Sequence, residues 1–189
     1  MRIITGSARG ASLLTLPGEA TRPTAERTKE AVFSMIQFDI EGRKVLDLFA
    51  GSGQLALEAL SRGAASAVLC DSSKEAINII KKNAEKTRLS HKCKIFSSDA
   101  KVLLGRLGEE RFDLVFLDPP YALKTVPNVL SLLLANNRLK PTSIIVCETA
   151  EASDVFATDD ALCEKFNIKK QTRYGAACVT IMSPKEECL

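Results

Sequence analysis

The residues best placed to do chemistry in this 189-residue chain are four in a row, Asp118-Pro119-Pro120-Tyr121. An exocyclic amino group on a nucleobase is a poor nucleophile, because its lone pair is delocalised into the ring. To attack a methyl sulfonium it must move towards sp³ geometry. Acceptors aimed at its two N–H bonds favour that change selectively in the transition state. The Asp118 carboxylate and the Pro119 backbone carbonyl are candidates for those acceptors. Pro119 and Pro120 fix φ and donate no backbone N–H, so such a loop is stiff and its acceptors are preorganised. Tyr121 offers a flat face for a base to stack on. The methyl donor carries the electrophile, so no strong general base is required. Asp-Pro-Pro is also good turn chemistry, and a rigid strand-to-helix turn is the plain alternative. Taken alone, the tetrapeptide points to amino methylation and leaves adenine, guanine and glutamine nitrogens open.

Asp47-Leu48-Phe49-Ala50-Gly51-Ser52-Gly53 supplies the matching cofactor feature. Its glycines permit a tight turn and close approach of a ligand to the backbone. Gly51-Ser52-Gly53-Gln54-Leu55-Ala56 fits the G-x-G-x-x-G/A form of dinucleotide sites, a weak signal by itself. Three acids narrow the choice. Asp47, four residues before Gly51, can attract the ammonium of a bound amino acid and would repel a pyrophosphate. Asp71, 20 residues after Gly51, can accept from ribose hydroxyls. Asp99 can accept from an adenine amino group. An amine, a ribose and an adenine without phosphate describe S-adenosylmethionine; helix N-caps are the alternative use of the three acids. The expected cofactor residues are Asp47, Phe49, Ala50, Gly51, Ser52, Gly53, Asp71, Ser72, Asp99, Ala100 and Asp118. A nicotinamide-dependent dehydrogenase is the remaining use of such a loop.

These residues need a scaffold that delivers them to one edge. From about residue 44 short apolar runs alternate with amphipathic stretches. Strands are expected at 45–49, 67–70, 94–96, 112–117 and 143–147. Leu55, Ala56, Ala59 and Leu60 recur at helical spacing, as do Ala76, Ile77, Ile80 and Ala84, and a leucine-rich helix is expected over roughly 126–135. That alternation implies βαβ units and a parallel sheet. Two further segments, 166–172 and 177–182, read as apolar and are separated only by Arg173-Tyr174-Gly175-Ala176, which permits a hairpin and not a parallel crossover. In a doubly wound sheet, ligands bind beyond the carboxyl ends of the strands. If the first and fourth strands are neighbours, the glycine loop and Asp118–Tyr121 meet there. Before residue 44, Arg2–Thr5 and Ala11–Leu16 flank a turn and read as a small hairpin. Thr21-Arg22-Pro23-Thr24 then leads into a helix with Ala31, Val32, Met35 and Ile36 on one face and Pro23 in its first turn.

Composition bounds the rest. Hydrophobic residues make up 46% and charged residues 26%, as in an ordinary globular chain. One domain over 1–189 is expected, with a hairpin-and-helix appendage (1–40) on a catalytic core (41–189). No apolar stretch approaches a membrane span and the first residues lack a signal-peptide core, so a cytoplasmic protein is expected. The six cysteines form no CxxC or CxH pattern and there is a single histidine, so neither disulfides nor a metal site is expected. The net charge of +3 permits nucleic acid without demanding it. Within the first 30 residues Arg2, Arg9, Arg22, Arg27 and Lys29 face only three acids.

Together these residues resemble the RsmD-like family of bacterial small-subunit (16S) rRNA methyltransferases, which methylate a guanine N2. The opening Arg2-Ile3-Ile4…Gly6…Arg9-Gly10 is similar to the family's hairpin. Arg22-Pro23-Thr24…Arg27…Glu30-Ala31-Val32-Phe33 is similar to its RPT-x-x-R-x-x-E-x-x-F segment. Asp47–Gly53 with Glu58–Ala64 matches its cofactor loop and helix, Asp118–Tyr121 its catalytic loop, and Tyr174-Gly175 a motif before the last strand. Asp71 stands where the family often has Glu, Ala56 where it usually has Gly, and Ala11-Ser12 where it commonly has basic residues. The resemblance implies a Rossmann-like class I α/β fold with a seven-stranded, mostly parallel sheet of order 3-2-1-4-5-7-6. It implies S-adenosylmethionine as cofactor, with Arg22, Pro23 and Thr24 shaping its pocket. It also implies catalysis by Asp118, Pro119, Pro120 and Tyr121, and contacts to RNA from Arg2, Arg9, Arg22, Arg27 and Tyr121. The expected partner is small-subunit rRNA or the assembling small subunit, met by a monomer. An adenine-N6 methyltransferase on DNA or RNA, or a non-catalytic RNA-binding assembly protein, are the alternatives. A chain this short is expected to hold no separate target-recognition domain.

Overall fold

The computed structural model describes residues 1–16, 23–120, 125–157 and 159–189, and for 23–25 the backbone alone. Helix α1 (Pro23–Met35) opens the ordered alternation, followed by strand β1 (Lys44–Asp47), α2 (Gln54–Ser61), β2 (Ser66–Asp71) and α3 (Lys74–Lys86). Then come β3 (Cys93–Ser97), α4 (Ala100–Arg106), β4 (Phe112–Leu117), α5 (Val126–Ala135) and β5 (Leu139–Thr149). A short α6 (Asp160–Cys163) leads to β6 (Phe166–Tyr174) and β7 (Ala177–Pro184). The strands form one sheet of order β3-β2-β1-β4-β5-β7-β6. All pairs are parallel up to β5; β7 runs antiparallel to both β5 and β6. This is the Rossmann-like class I arrangement that the family resemblance implies.

Alternation along the strands divides the core into two layers. Val45, Leu69, Leu114, Phe116 and Val146 face α1, α2 and α3, whereas Leu46, Val68, Val115, Leu117 and Cys147 face α4 and α5. Central β4 is buried at every position, as a strand covered on both faces must be. On α1 the buried face centres on Val32 and Phe33, with Ile36 continuing it just past the helix. Phe33 was not in the expected stripe; its ring packs against Phe116 at 5.8 Å and lies under the Arg62 guanidinium at 4.8 Å.

Some boundaries differ from the sequence reading. Leu48 and Phe49 leave the first strand although they continue its apolar run, because the chain turns there into the glycine loop and the Ala50 N–H already bonds to the Cys70 carbonyl. The fifth strand starts earlier, at Leu139, which pairs with Phe112 ahead of a register shift. The segment at 166–172 is a strand, but it is not apolar in use. It lies at the sheet edge, with only Phe166 buried and Asn167–Gln171 exposed. Its hairpin to β7 turns through Gly175 and Ala176 alone.

The N-terminal hairpin closes on a single antiparallel bridge, Arg2 to Ser12. Its stability comes from docking on α2. Glu58, fully buried, accepts the Ile4 and Thr5 N–H groups at 2.7 and 3.1 Å and the Arg62 Nε–H at 2.7 Å. Ser61 donates to the Thr5 carbonyl at 2.6 Å and accepts the Ala8 N–H at 3.0 Å. Gly6 sits so close that a Cβ would fall 1.8 Å from the Ser61 carbonyl oxygen, at a φ of +91° that disfavours any side chain.

Candidate active site

The carboxyl ends of five strands bring five acids to one edge. Asp71 ends β2 and Asp47 ends β1, while Asp118 follows β4, Glu148 lies near the end of β5, and Asp99 stands two residues beyond β3. Register fixes their neighbours. Asp47 is level with Leu69 on one side and Phe116 on the other, and Leu117 with Cys147, so Asp118 and Glu148 come next to each other.

A cleft of about 550 Å³ opens along this edge, within the range of small-molecule sites. Its walls bring together Phe49, Gly51, Asp71, Ser72, Asp99, Ala100, Asp118, Pro119 and Pro120 from the expected set. It also includes Leu16, Leu48, Ser73, Ser98 and Thr125, which the sequence reading did not single out. Ser98 was within reach of that reading, as the residue before Asp99; Thr125 gave no signal. No lysine or arginine is among the described lining residues. Three carboxylates and no cation suit a cofactor rich in N–H and O–H donors and oppose a pyrophosphate. Among the described residues no group of three His, Cys, Asp or Glu side chains could hold a metal ion.

The glycine loop is held from three sides. Asp71 accepts the Gly51 N–H at 2.9 Å with one oxygen and the Ser73 N–H at 2.8 Å with the other. Asn83, fully buried on α3, donates to the Ser52 carbonyl at 2.8 Å. The same side chain accepts the Leu14 N–H and donates to the Leu14 carbonyl, so it ties the N-terminal segment to the loop. Gly53 caps α2 at φ +79°, with Leu69 and Ile80 packed where a Cβ would project. Ala50, Ser52 and Gly53 are buried and do not line the cleft.

The acids differ in role. Asp99 caps α4, accepting the Lys101 and Val102 N–H groups at 2.8 and 3.3 Å, and lines the cleft as well. Asp47 does not line the cleft. It is 1% exposed, and neither oxygen has a hydrogen-bond partner. Burial pushes its carboxyl up to about 7; the Ala56 and Phe49 amides, close by but outside good hydrogen-bond geometry, oppose the rise only in part, and the Asp71 charge adds to it.

Of the basic residues near the N-terminus, Arg2, Arg9 and Arg27 are exposed, and Arg2 pairs with Glu26 at 3.3 Å. Lys29 corrects the charge count made from sequence. It is 2% exposed, donates to the Arg2 carbonyl at 2.6 Å and lies 3.8 Å from Glu58. Burial lowers its pKa despite the pull of Glu58. It holds the hairpin in place and offers no surface charge. Arg22 and Tyr121 lie outside the described residues, as do the side chains of Pro23 and Thr24.

Residues 1–183 match the protein family described as Conserved hypothetical protein 95. The chain belongs to that family. It is 38% identical to the YlbH protein of Bacillus subtilis over 150 residues, covering 78% of the chain and 82% of YlbH. It is 39% identical over 151 residues to Ribosomal RNA small subunit methyltransferase D of Haemophilus influenzae, covering 79% and 78%. The solved structure of yhhF from Escherichia coli superposes with a TM-score of 0.83 at 27% identity, over 98% of each chain. Within the Conserved hypothetical protein 95 family, then, this chain is an S-adenosylmethionine-dependent methyltransferase related to the RsmD enzymes.

Proposed function

We propose that the chain transfers the methyl group of S-adenosylmethionine to the exocyclic N2 amino group of a guanine in small-subunit rRNA. The observation that carries this reading is the single cleft shared by the glycine loop and Asp118-Pro119-Pro120. A relative named as a small-subunit rRNA methyltransferase supports the RNA target.

When bound, the cofactor supplies an electrophilic methyl group. The chain's own residues do the rest. Asp71 and Ser72 meet the ribose and Asp99 the adenine, with Phe49 and Ala100 as apolar walls. The carboxylate of Asp118 and the carbonyl of Pro119 accept the two N–H bonds of the substrate amino group and hold its lone pair towards the methyl. Pro119 and Pro120 keep those acceptors stiff, so little reorganisation is needed as charge develops on the nitrogen. Tyr121 stacks on a base taken out of its helix or loop. Exposed Arg2, Arg9 and Arg27 contact phosphates on the hairpin side.

Incubation of the chain with labelled cofactor and rRNA, free or in assembling subunits, followed by nucleoside analysis, tests this. Label on N2-methylguanosine is expected; label on adenine N6, or on protein alone, overturns the target. Asp118→Ala is expected to bind the cofactor and to lose about 10²- to 10³-fold in turnover, as other preorganised acceptor and donor deletions do.

A further inference from the structure

Besides the main cleft, two smaller cavities border the catalytic loop. One lies on the α1 side and is lined by Gln54, Asp118 and Glu148 among others. The other lies towards α5 and is lined by Pro119, Pro120, Thr125, Glu148 and Asp154 among others. Glu148 is the one described residue common to both. Each cavity is also lined by a residue with a buried polar atom that has no hydrogen-bond partner, the side-chain oxygen of Gln54 in one and Oγ1 of Thr125 in the other. Buried polar atoms are normally paired, so both cavities border unmet hydrogen-bonding groups.

We infer that Glu148 is the residue that selects guanine, its carboxylate accepting the N1–H of the base whose amino group Asp118 and Pro119 hold. This rests on the reading of guanine N2 as the acceptor. Guanine presents its N1–H and N2–H donors side by side on one edge. Catalytic acceptors on the amino group therefore leave a second donor immediately beside it. The residue beside Asp118 is Glu148, since Leu117 pairs with Cys147 and the next positions lie on neighbouring strand ends, about 4.8 Å apart. Both line the cavity on the α1 side. Adenine presents a lone pair at N1, which a carboxylate repels. A site that binds a donor through a charged acceptor rejects a base lacking it far more strongly than an apolar pocket does.

The test compares two substrates, after the methylated position has been mapped. One is the natural RNA. The other carries 2-aminopurine at that position, which keeps the 2-amino group and has a bare N1. The wild-type chain is expected to favour guanine by about 10- to 100-fold in kcat/KM, the worth of one charge-assisted hydrogen bond. Glu148→Gln should bind S-adenosylmethionine normally and methylate guanine more slowly. Its amide can donate to a bare N1, so the preference should shrink by about tenfold or invert. Glu148→Asp, which keeps a carboxylate on a shorter arm, should retain the preference at reduced rate. An unchanged guanine preference in Glu148→Gln, or its loss in Glu148→Asp, sinks the role of Glu148 while leaving guanine methylation standing. If the wild-type chain puts no methyl on guanine N2, the functional reading itself fails, and that appears before any variant is made.

Discussion

One oxygen of Asp71 accepts the Gly51 N–H at 2.9 Å, so the acid that ends β2 also shapes the loop that follows β1. The other oxygen accepts the Ser73 N–H. Both oxygens are thus oriented by the protein before any ligand arrives, with lone pairs remaining for ribose hydroxyls. Preorganisation of this kind removes ordering cost from binding. Asp71→Ala removes the acceptor and the loop tether together, and cofactor affinity should fall by about 100-fold, the loss of two or more hydrogen bonds at a charged group. Asp71→Glu, which keeps the carboxylate on a longer arm, should recover most of it. Calorimetric titration with S-adenosylmethionine reads both; a Glu variant as weak as the Ala variant would show that the tether to Gly51, which depends on arm length, dominates over ribose binding.

Lys29 and Glu58 form a buried oppositely charged pair that holds the hairpin against α1 and α2. Removing one partner leaves the other charge uncompensated, which typically costs about 3–5 kcal/mol. For a chain of this size that corresponds to a fall in Tm of roughly 10 °C. Glu58→Ala should therefore be severe by thermal unfolding, and Lys29→Met in the same background should restore part of the loss. Strict additivity of the two substitutions would argue that they are not coupled.

Gly6 tests the docking of the hairpin without altering any charge. Gly6→Ala places a Cβ within the Ser61 carbonyl and strains a positive φ, so the hairpin must lift from α2 or the helix must shift. Limited proteolysis should cut the first 16 residues faster in this variant than in wild type. If the exposed arginines of the hairpin grip RNA, rRNA binding should weaken while cofactor binding persists, a split that gel-shift and calorimetric measurements resolve.

Much of this arrangement was legible in the residues because burial left a pattern. Phe112–Leu117 is apolar throughout and sits in the middle of the sheet, and the leucine-rich stretch at 126–135 is a helix with the expected bounds. What escaped was written in single polar residues inside apolar stripes. Lys29 falls three residues before Val32 and four before Phe33, Glu58 lies between Leu57 and Leu60, and Asn83 stands three residues after Ile80. Each lies on the face its helix buries, and each turns out to hold the N-terminal segment. A charge tally treats such residues as surface; helical spacing shows that they are inside. The edge strand β6 was expected as an arm of the last hairpin, but its exposure was not, because a strand with both faces exposed has no alternation to display. Glu148 gave no motif at all. Its place beside Asp118 comes from the register of β4 with β5, which no local spacing encodes.

Asp47 makes a pH-dependent prediction. Its carboxyl is raised to about 7 from an ordinary value of 3.8, so the folded chain holds this proton over a range in which the unfolded chain has lost it. The group therefore favours folding most fully below about pH 4, and that contribution is lost as pH rises to about 7. The shift bounds the effect at something on the order of 4 kcal/mol. Asp113 works in the other direction. Its burial is outweighed by the hydrogen bonds from Lys140 and the Lys44 amide and by the charges of Lys140 and Arg43, so its carboxyl is held below the usual range. Its contribution is present above about pH 4 and disappears only as pH falls through its lowered folded value. Between pH 5 and 8 Asp47 should thus dominate the difference between wild type and Asp47→Asn in thermal scans without cofactor. The variant should gain on the wild type as pH rises; parallel curves would place the proton elsewhere. Cofactor binding asks a second question of the same residue. If the ammonium of S-adenosylmethionine reaches Asp47, ionisation is favoured, and affinity should strengthen from pH 6 to 7.5 in wild type but not in Asp47→Asn. Equal pH profiles for binding would mean that Asp47 supports the loop from beneath and never meets the cofactor.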